Sequence, residues 1–236
     1  MPTAPRTLAV IPAFNESAAL PSTIADLRAV QPGIDIVVVD DGSLDDTAEV
    51  AASLGVDVLR LPFNLGIGGA LRCGFRFAVQ QGYERALQFD ADGQHLASEV
   101  DTLLAPLAEG ADMVIGVRFG DGNDYDVGRS RRLAMGVLRT IARWLTGRRL
   151  ADTSSGFRAF SRPMLERFAQ EYPLEYMDSV EALVQAVREG YDVREVPVQM
   201  RQRSAGQASN RRFRLVYHYV RLLVVLGSSR RPRSAR

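Results

Sequence analysis

Between Thr7 and Val117, five short apolar runs alternate with longer stretches of helical periodicity, and this rhythm constrains the fold more than any other feature of the chain. The runs are Thr7–Ile11, Asp35–Val39, Val56–Leu61, Ala86–Asp90 and Met113–Val117. The intervening helices are expected at about Glu16–Val30, Asp45–Leu54, Gly68–Gln81 and Ser98–Glu109. Strands and helices that alternate in this way build a mostly parallel sheet covered on both faces, so the expected class is α/β. Further along, Arg118–Gly128 breaks the rhythm with Gly, Asp and Asn and reads as a mobile loop. A helix is expected at about Arg131–Leu145, followed by the segment Asp152–Phe160, two more helical stretches and a strand at Val193–Val198. Arg201–Asn210 reads as a polar loop and Arg211–Leu226 as an amphipathic helix, and no internal repeat is present.

Composition narrows the chemistry. The one cysteine, Cys73, rules out an internal disulfide and a cysteine metal site, and its place in a helical pattern makes it a small packing residue. All 29 basic residues are arginine, which excludes Schiff-base or lysine-nucleophile chemistry. Arginine is also the better fork for phosphate oxygens. The net charge of +1 hides an asymmetry, because residues 201–236 hold ten arginines and no acid. No basic-then-apolar leader precedes the first strand, and no apolar run reaches the ~18 residues that span a bilayer. A cytoplasmic protein is expected.

The candidate chemistry lies at the ends of the apolar runs, where open α/β sheets place their ligands. Arg85-Ala-Leu-Gln-Phe-Asp90-Ala91-Asp92-Gly-Gln94-His95 ends a strand on two aspartates spaced i, i+2. Alternation along an extended chain is expected to point both carboxylates the same way. So placed, they suit a divalent cation that substrate phosphates also hold. The alternative is a polar turn, which Asp-Gly favours. His95 reads as a polar loop residue beside this site rather than a ligand. The first strand ends in Pro12-Ala13-Phe-Asn15-Glu16 and the second in Asp40-Asp41-Gly-Ser43. Acid there can accept from a ribose hydroxyl or a base N–H. Alternatively, Asn15 or Ser43 caps the next helix. After the third strand, Asn64-Leu-Gly66-Ile-Gly68-Gly69-Ala70 has neither a Walker A ending nor the dinucleotide glycine spacing. Its glycines permit close backbone approach, to phosphate or to a packed neighbour.

Taken in order, these segments resemble the family 2 glycosyltransferases with the nucleotide-sugar-binding GT-A fold, and most closely their polyprenyl-phosphate branch, which includes dolichyl-phosphate mannose synthase. Gly116-Val-Arg118, Asp152-Thr-Ser-Ser-Gly-Phe157 and Val196-Pro-Val198 with Arg203-x-x-Gly206 complete the set, and the resemblance spans about residues 7 to 210. It implies a GT-A domain over 1–210; beyond it, the residues read as a basic amphipathic helix at 211–227 and a disordered Arg-rich tail at 228–236. It implies a nucleotide-sugar site formed by Pro12, Ala13, Asn15, Glu16, Asp40, Asp41, Gly66, Asp90, Ala91 and Asp92. Asp90 and Asp92, with Gln94, would hold Mg²⁺ or Mn²⁺ against the donor diphosphate. Arg118, Arg131 and Arg203 match arginines that contact the acceptor phosphate, and Asp152 heads the motif beside the reacting centre, unless it is a turn or helix-cap aspartate. Arg129 and Arg132 flank Arg131 closely enough to take its role. Two serines common in the branch are replaced here, by Met135 and by Ala208 with Ser209 next to it.

The implied reaction is chemically coherent. A sugar–nucleotide bond breaks when the leaving diphosphate is stabilised, which a divalent cation does as a Lewis acid. A phosphate monoester acceptor has a second pKa near ~6 and is largely dianionic at neutral pH. It needs positioning and charge compensation, which arginines provide, rather than a strong base. The family inverts the anomeric centre. The nearest alternative is a lipid-linked saccharide or cell-wall glycan acceptor. Nucleotidyltransfer and nucleotide-sugar sensing are more distant ones.

Arg211–Leu226 is basic at its start and apolar later. Such helices lie in membrane interfaces and are drawn to anionic lipid, unless the helix packs on the core with its arginines snorkelling. The expected location is peripheral, on the inner face of the cytoplasmic membrane. Many relatives in the branch continue into membrane-spanning helices here, so a small membrane protein is an expected partner. Nucleic acid is not expected as a ligand, since the first 200 residues carry more acids than arginines and no recognition motif.

Overall fold

A computed structural model describes residues 5–118, 155–173 and 178–201. A seven-stranded sheet forms its centre, in the order β3-β2-β1-β4-β6-β5-β7. The strands are β1 (Thr7–Ala13), β2 (Asp35–Asp40), β3 (Asp57–Arg60), β4 (Arg85–Gln88), β5 (Met113–Arg118), β6 (Arg158–Ser161) and β7 (Val193–Val198). The helices are α1 (Leu20–Val30), α2 (Thr47–Ser53), α3 (Ile67–Gln80), α4 (Val100–Ala108), α5 (Arg162–Glu171) and α6 (Asp178–Arg188), with a 3₁₀ turn at Ala97–Glu99 before α4.

The alternation read from the sequence is present throughout the first half. β1 is the clearest case. Its run Leu8-Ala-Val-Ile11 is completely buried, because helices cover both faces of the sheet there. Leu8 and Val10 join the layer formed with α3, α5 and α6. Ala9 and Ile11 join the opposite layer, formed with α1 and α4. On α3, Leu71, Phe75 and Ala78 fall on one face at helical spacing and are fully buried. Phe75 meets Phe160 edge-on and stacks on Phe168, which ties α3 and α5 over β6.

One strand escaped the sequence reading. Arg158–Ser161 runs antiparallel to both β4 and β5, whereas the other neighbouring pairs are parallel. The sheet is thus mostly parallel, as expected, with one reversed strand inside it. Because β6 runs backwards, it begins at the edge where its neighbours end. Gln88, the last residue of β4, lies opposite Arg158, the first of β6. The segment Ser155–Phe157 therefore enters the sheet beside the residues that follow β4. The strand order also reverses direction between β1 and β4, the crevice where open α/β sheets take ligands.

Helix and strand boundaries differ from expectation by a few residues. The largest shift is at α1, which starts at Leu20 rather than Glu16, because Ala19 and Leu20 both donate to the Glu16 carbonyl in a turn that precedes the helix. Cys73 lies in α3 and is half-buried, as expected. The loop expected at 118–128 begins one residue later at the earliest, because Arg118 ends β5; its other residues, the helix at 131–145 and everything after Arg201 lie outside the described residues. Among the described residues no helix is long and apolar enough to cross a membrane.

Candidate active site

Three loops at the carboxyl edge interlock through backbone–side-chain hydrogen bonds. Asn15 takes the left-handed backbone region at φ 56°. Its N–H donates to Ser43 Oγ at 2.9 Å, and its Oδ1 accepts from the Leu44 N–H at 2.8 Å. The Glu16 N–H donates to Thr47 Oγ1 at 2.9 Å and the Ser17 N–H to Asp45 Oδ2 at 3.3 Å. Burial works against the Asp45 carboxylate, but the bonds from Thr47 and Ser17 together hold its pKa below the ordinary value. Neither Asn15 nor Ser43 caps a helix: the cap positions are Ala19 for α1 and Asp46 for α2. The capping alternative is thereby corrected. Both residues stitch the loop after β1 to the loop after β2.

Asp40 and Asp41 divide their tasks. Asp40 is buried, and its Oδ1 accepts from the Ser43 N–H at 3.0 Å. The Asp41 N–H donates to the Ala13 carbonyl, and its Oδ1 accepts from the Leu65 N–H at 2.7 Å. Burial pushes the Asp41 carboxyl up from its usual pKa, against the N–H groups of Leu65 and Gly66 that favour its charge. Gly42, at φ 71°, makes this closeness possible. A Cβ there would sit 2.7 Å from the carbonyl carbon of Phe63. Asp41 thus acts as the clamp on the Asn64–Gly66 loop, and Gly66 sits at the cap position of α3. An Asp41→Ala variant, losing this acceptor for the Leu65 N–H, is expected to be less stable by about 1 kcal/mol, with Asp41→Asn closer to wild type. Urea denaturation of the two variants measures the difference.

On the other side of β1 lies the Asp90 loop. β4 ends at Gln88, and Ala91 and Asp92 form a turn, so the two carboxylates do not alternate along one strand as the sequence suggested. The Asp-Gly turn propensity wins there. Each group of the loop is nonetheless held. The Ala91 carbonyl accepts from Thr23 Oγ1 at 3.0 Å. Asp92 accepts from the Gln94 N–H at 3.0 Å and from Gln94 Nε2 at 2.8 Å. The Gln94 carbonyl accepts from the Arg201 N–H at 2.9 Å, and His95 bridges to Met200.

Asp90 is buttressed from three directions. Gln88 Nε2 donates to its Oδ1 at 3.1 Å. Its own N–H donates to His95 Nδ1 at 2.9 Å, while His95 Nε2 lies 3.7 Å from its Oδ2. Gly156 faces the same carboxylate, since a Cβ there would be 2.8 Å from Oδ2. His95 is not the polar loop residue expected. It is 6% exposed, with its ring stacked on Phe157 at 4.5 Å and edge-on to Phe89. An Nδ1 that accepts places the ring proton on Nε2. Arg158 is also fully buried, and its Nε donates to the Ser155 carbonyl at 2.7 Å.

Asp90, Asp92 and the amide oxygen of Gln94 are hard oxygen donors carried by one loop. Such a set fits Mg²⁺ or Mn²⁺ completed by substrate phosphates. Of the remaining expected residues, Arg118 closes β5 at the same edge, opposite Val198 of β7. Its side chain, together with Arg131, Asp152 and Arg203, lies outside the described residues. The sequence gives Gln88 and Thr23 no part in the site, contains Gly156 in the motif headed by Asp152 without assigning it a role, and presents His95 as a loop residue. Only Gln88 left a local signal, as a polar residue in an apolar run two positions before Asp90.

Comparison with known proteins gives this edge a family. The model of Glycosyl transferase family 2 matches residues 8–168. Polyprenol monophosphomannose synthase of Mycolicibacterium smegmatis is 33% identical over 214 residues, covering 85% of this chain and 79% of the relative. Undecaprenyl-phosphate mannosyltransferase of Micrococcus luteus is 32% identical over 212 residues, covering 86% of each. Among solved structures, glucosyl-3-phosphoglycerate synthase from Mycobacterium tuberculosis, in complex with Mn²⁺, UDP and phosphoglyceric acid, superposes with a TM-score of 0.72 at 23% identity, covering 98% of this chain and 81% of that one. The fold is GT-A, and the chain belongs to glycosyl transferase family 2 and is a glycosyltransferase.

Proposed function

We propose that the enzyme transfers one sugar from a nucleoside diphosphate sugar to a polyprenyl monophosphate, with Mg²⁺ or Mn²⁺ bound at Asp90 and Asp92. The observation that carries this reading is the junction of the Asp90 loop with the segment after β7. Arg201 binds the Gln94 carbonyl through its backbone, and Arg203 follows two residues later. In this reading the Arg201 contact ties the donor-side loop to the chain that leads toward Arg203, the acceptor-side arginine. The relatives named above act on polyprenol and undecaprenyl phosphate, which supports a lipid phosphate here as well.

Each part of the edge has a task in this reading. The interlocked loops after β1, β2 and β3 receive the nucleoside, with the Asp40 carboxylate facing a ribose hydroxyl or base N–H. Asp90 and Asp92, with Gln94, hold the cation, which offsets charge on the departing diphosphate. Arg118, Arg131 and Arg203 compensate the acceptor phosphate and bring it behind the anomeric carbon, and Asp152 stands beside the reacting centre. An acceptor already dianionic attacks without losing a proton, and displacement from the far face inverts the anomeric carbon. Residues 211–227 would rest on the inner face of the cytoplasmic membrane, where a small membrane protein would dock.

The test is a panel of UDP-, GDP- and dTDP-sugars, mannose first, incubated with the enzyme, Mg²⁺ or Mn²⁺ and a short polyprenyl phosphate. The expected result is a glycolipid from one donor, lost with EDTA and in Arg203→Ala. Full activity of Arg203→Ala would remove the phosphate-acceptor assignment. Release of pyrophosphate in place of a nucleoside diphosphate would replace glycosyl transfer by nucleotidyl transfer.

A further inference from the structure

Gln88 is the one polar side chain in the run Arg85-Ala-Leu-Gln-Phe that is fully enclosed, at 1% exposure. Its Nε2 donates to Asp90 Oδ1 at 3.1 Å. Its Oε1 is buried and has no hydrogen-bond partner among the described residues. A half-satisfied amide in a core layer lowers stability compared with an apolar side chain of the same shape. The fold thus carries a cost at this position, and among the described residues the group that gains is the Asp90 carboxylate. His95 shows the same logic from the other side. Its ring is packed flat on Phe157, and its Nδ1 supplies the acceptor for the Asp90 backbone N–H. One residue thus fixes the carboxylate and the other fixes the backbone that carries it.

We propose that Gln88 and His95 are positioning residues for the metal-binding carboxylate Asp90, kept for the cation's sake and not for the stability of the fold. The inference rests on the reading of Asp90 and Asp92 as the cation's ligands. Groups that orient a metal ligand from behind typically account for about 10–100-fold in metal affinity. Gln88 engages Oδ1 of Asp90 and Gly156 stands close to Oδ2, so the carboxylate is fixed at both oxygens.

The experiment is a titration of the full chain with Mn²⁺, in the presence of UDP and separately of GDP, following free Mn²⁺ by its paramagnetic resonance signal. Thermal melting of each variant is recorded in parallel. Gln88→Leu keeps the volume and removes both the donor and the orphan carbonyl. It is expected to weaken Mn²⁺ binding about tenfold or more while leaving the melting temperature unchanged or raised. His95→Phe keeps the stack on Phe157 but loses the acceptor, and is expected to weaken Mn²⁺ binding to a similar extent. His95→Asn offers an oxygen near the Nδ1 position and is expected to recover most of that affinity. Wild-type Mn²⁺ affinity in both Gln88→Leu and His95→Phe would overturn the inference while leaving the metal reading intact. So would a Gln88→Leu variant whose only change is a lower melting temperature. A wild-type chain that binds no Mn²⁺ with either nucleotide would overturn the metal reading itself, and the inference with it.

Discussion

Glycosyl transfer by an Asp90→Asn enzyme is expected to fall on the order of 10³-fold, with the fold unchanged. The substitution keeps the shape and removes one negative charge at the centre of the most heavily braced position in the site. In the native protein Gln88 donates to Oδ1, and the backbone N–H is held by His95. Neither contact needs the charge to hold the loop together, so the Asn side chain can occupy the same place. A cation, however, binds the carboxylate oxygen far better than an amide oxygen. Without the cation, Asp92 and the diphosphate repel each other, and the leaving group departs with its charge uncompensated. The loss should therefore appear in kcat as well as in donor KM, because charge builds on the diphosphate in the transition state. Initial rates of nucleoside diphosphate release, measured at saturating Mn²⁺, check this. A variant within tenfold of wild type would mean that Asp90 does not hold the cation. Asp92→Ala should behave similarly but with more disturbance of the loop, since Asp92 accepts both bonds from Gln94.

How far the site could be read from the chain depended on where its contacts come from. The strand ends were legible because they follow from local alternation, and Asp40 and Asp90 stand where the apolar runs stop. Alternation stops at Gln88, where the chain leaves the strand and Asp-Gly turns it. β6 was hidden because Arg158-Ala-Phe-Ser is short and begins with a charged residue. Its buried arginine is held in part by the Ser155 carbonyl three residues earlier. His95 looked like a loop residue because nothing near it in sequence predicts the ring of Phe157 beneath it. The segment that leads into the reversed strand brings Gly156 against the Asp90 carboxylate and Phe157 against the His95 ring, and no local pattern announces either contact.

The Gly156 contact gives the second large prediction. Gly156→Ala adds one methyl group, yet transfer is expected to fall about 10²-fold, because a displacement near 1 Å of a reacting or ligating group can cost that much. The new Cβ would stand 2.8 Å from Asp90 Oδ2 and 3.0 Å from Gln88 Nε2, so something must move. The backbone at Gly156 has little room to retreat. The next residue's carbonyl accepts from the Gly116 N–H at 2.8 Å, and the Phe157 N–H donates to Ser155 Oγ. Phe157 itself is fully buried between His95 and Phe89. The flexible partner is the Asp90 carboxylate, which is part-exposed and can swing away from the methyl group. Strain is thus relieved at the ligand, not in the core. The melting temperature should change little while kcat and Mn²⁺ affinity fall together, the reverse of an ordinary packing defect. Parallel measurement of melting, Mn²⁺ binding and initial rate separates the two. A large drop in melting temperature with normal kcat in the folded fraction would show that the backbone yields and the carboxylate stays. Gly156 would then be a packing glycine and not the wall that keeps Oδ2 of Asp90 in place.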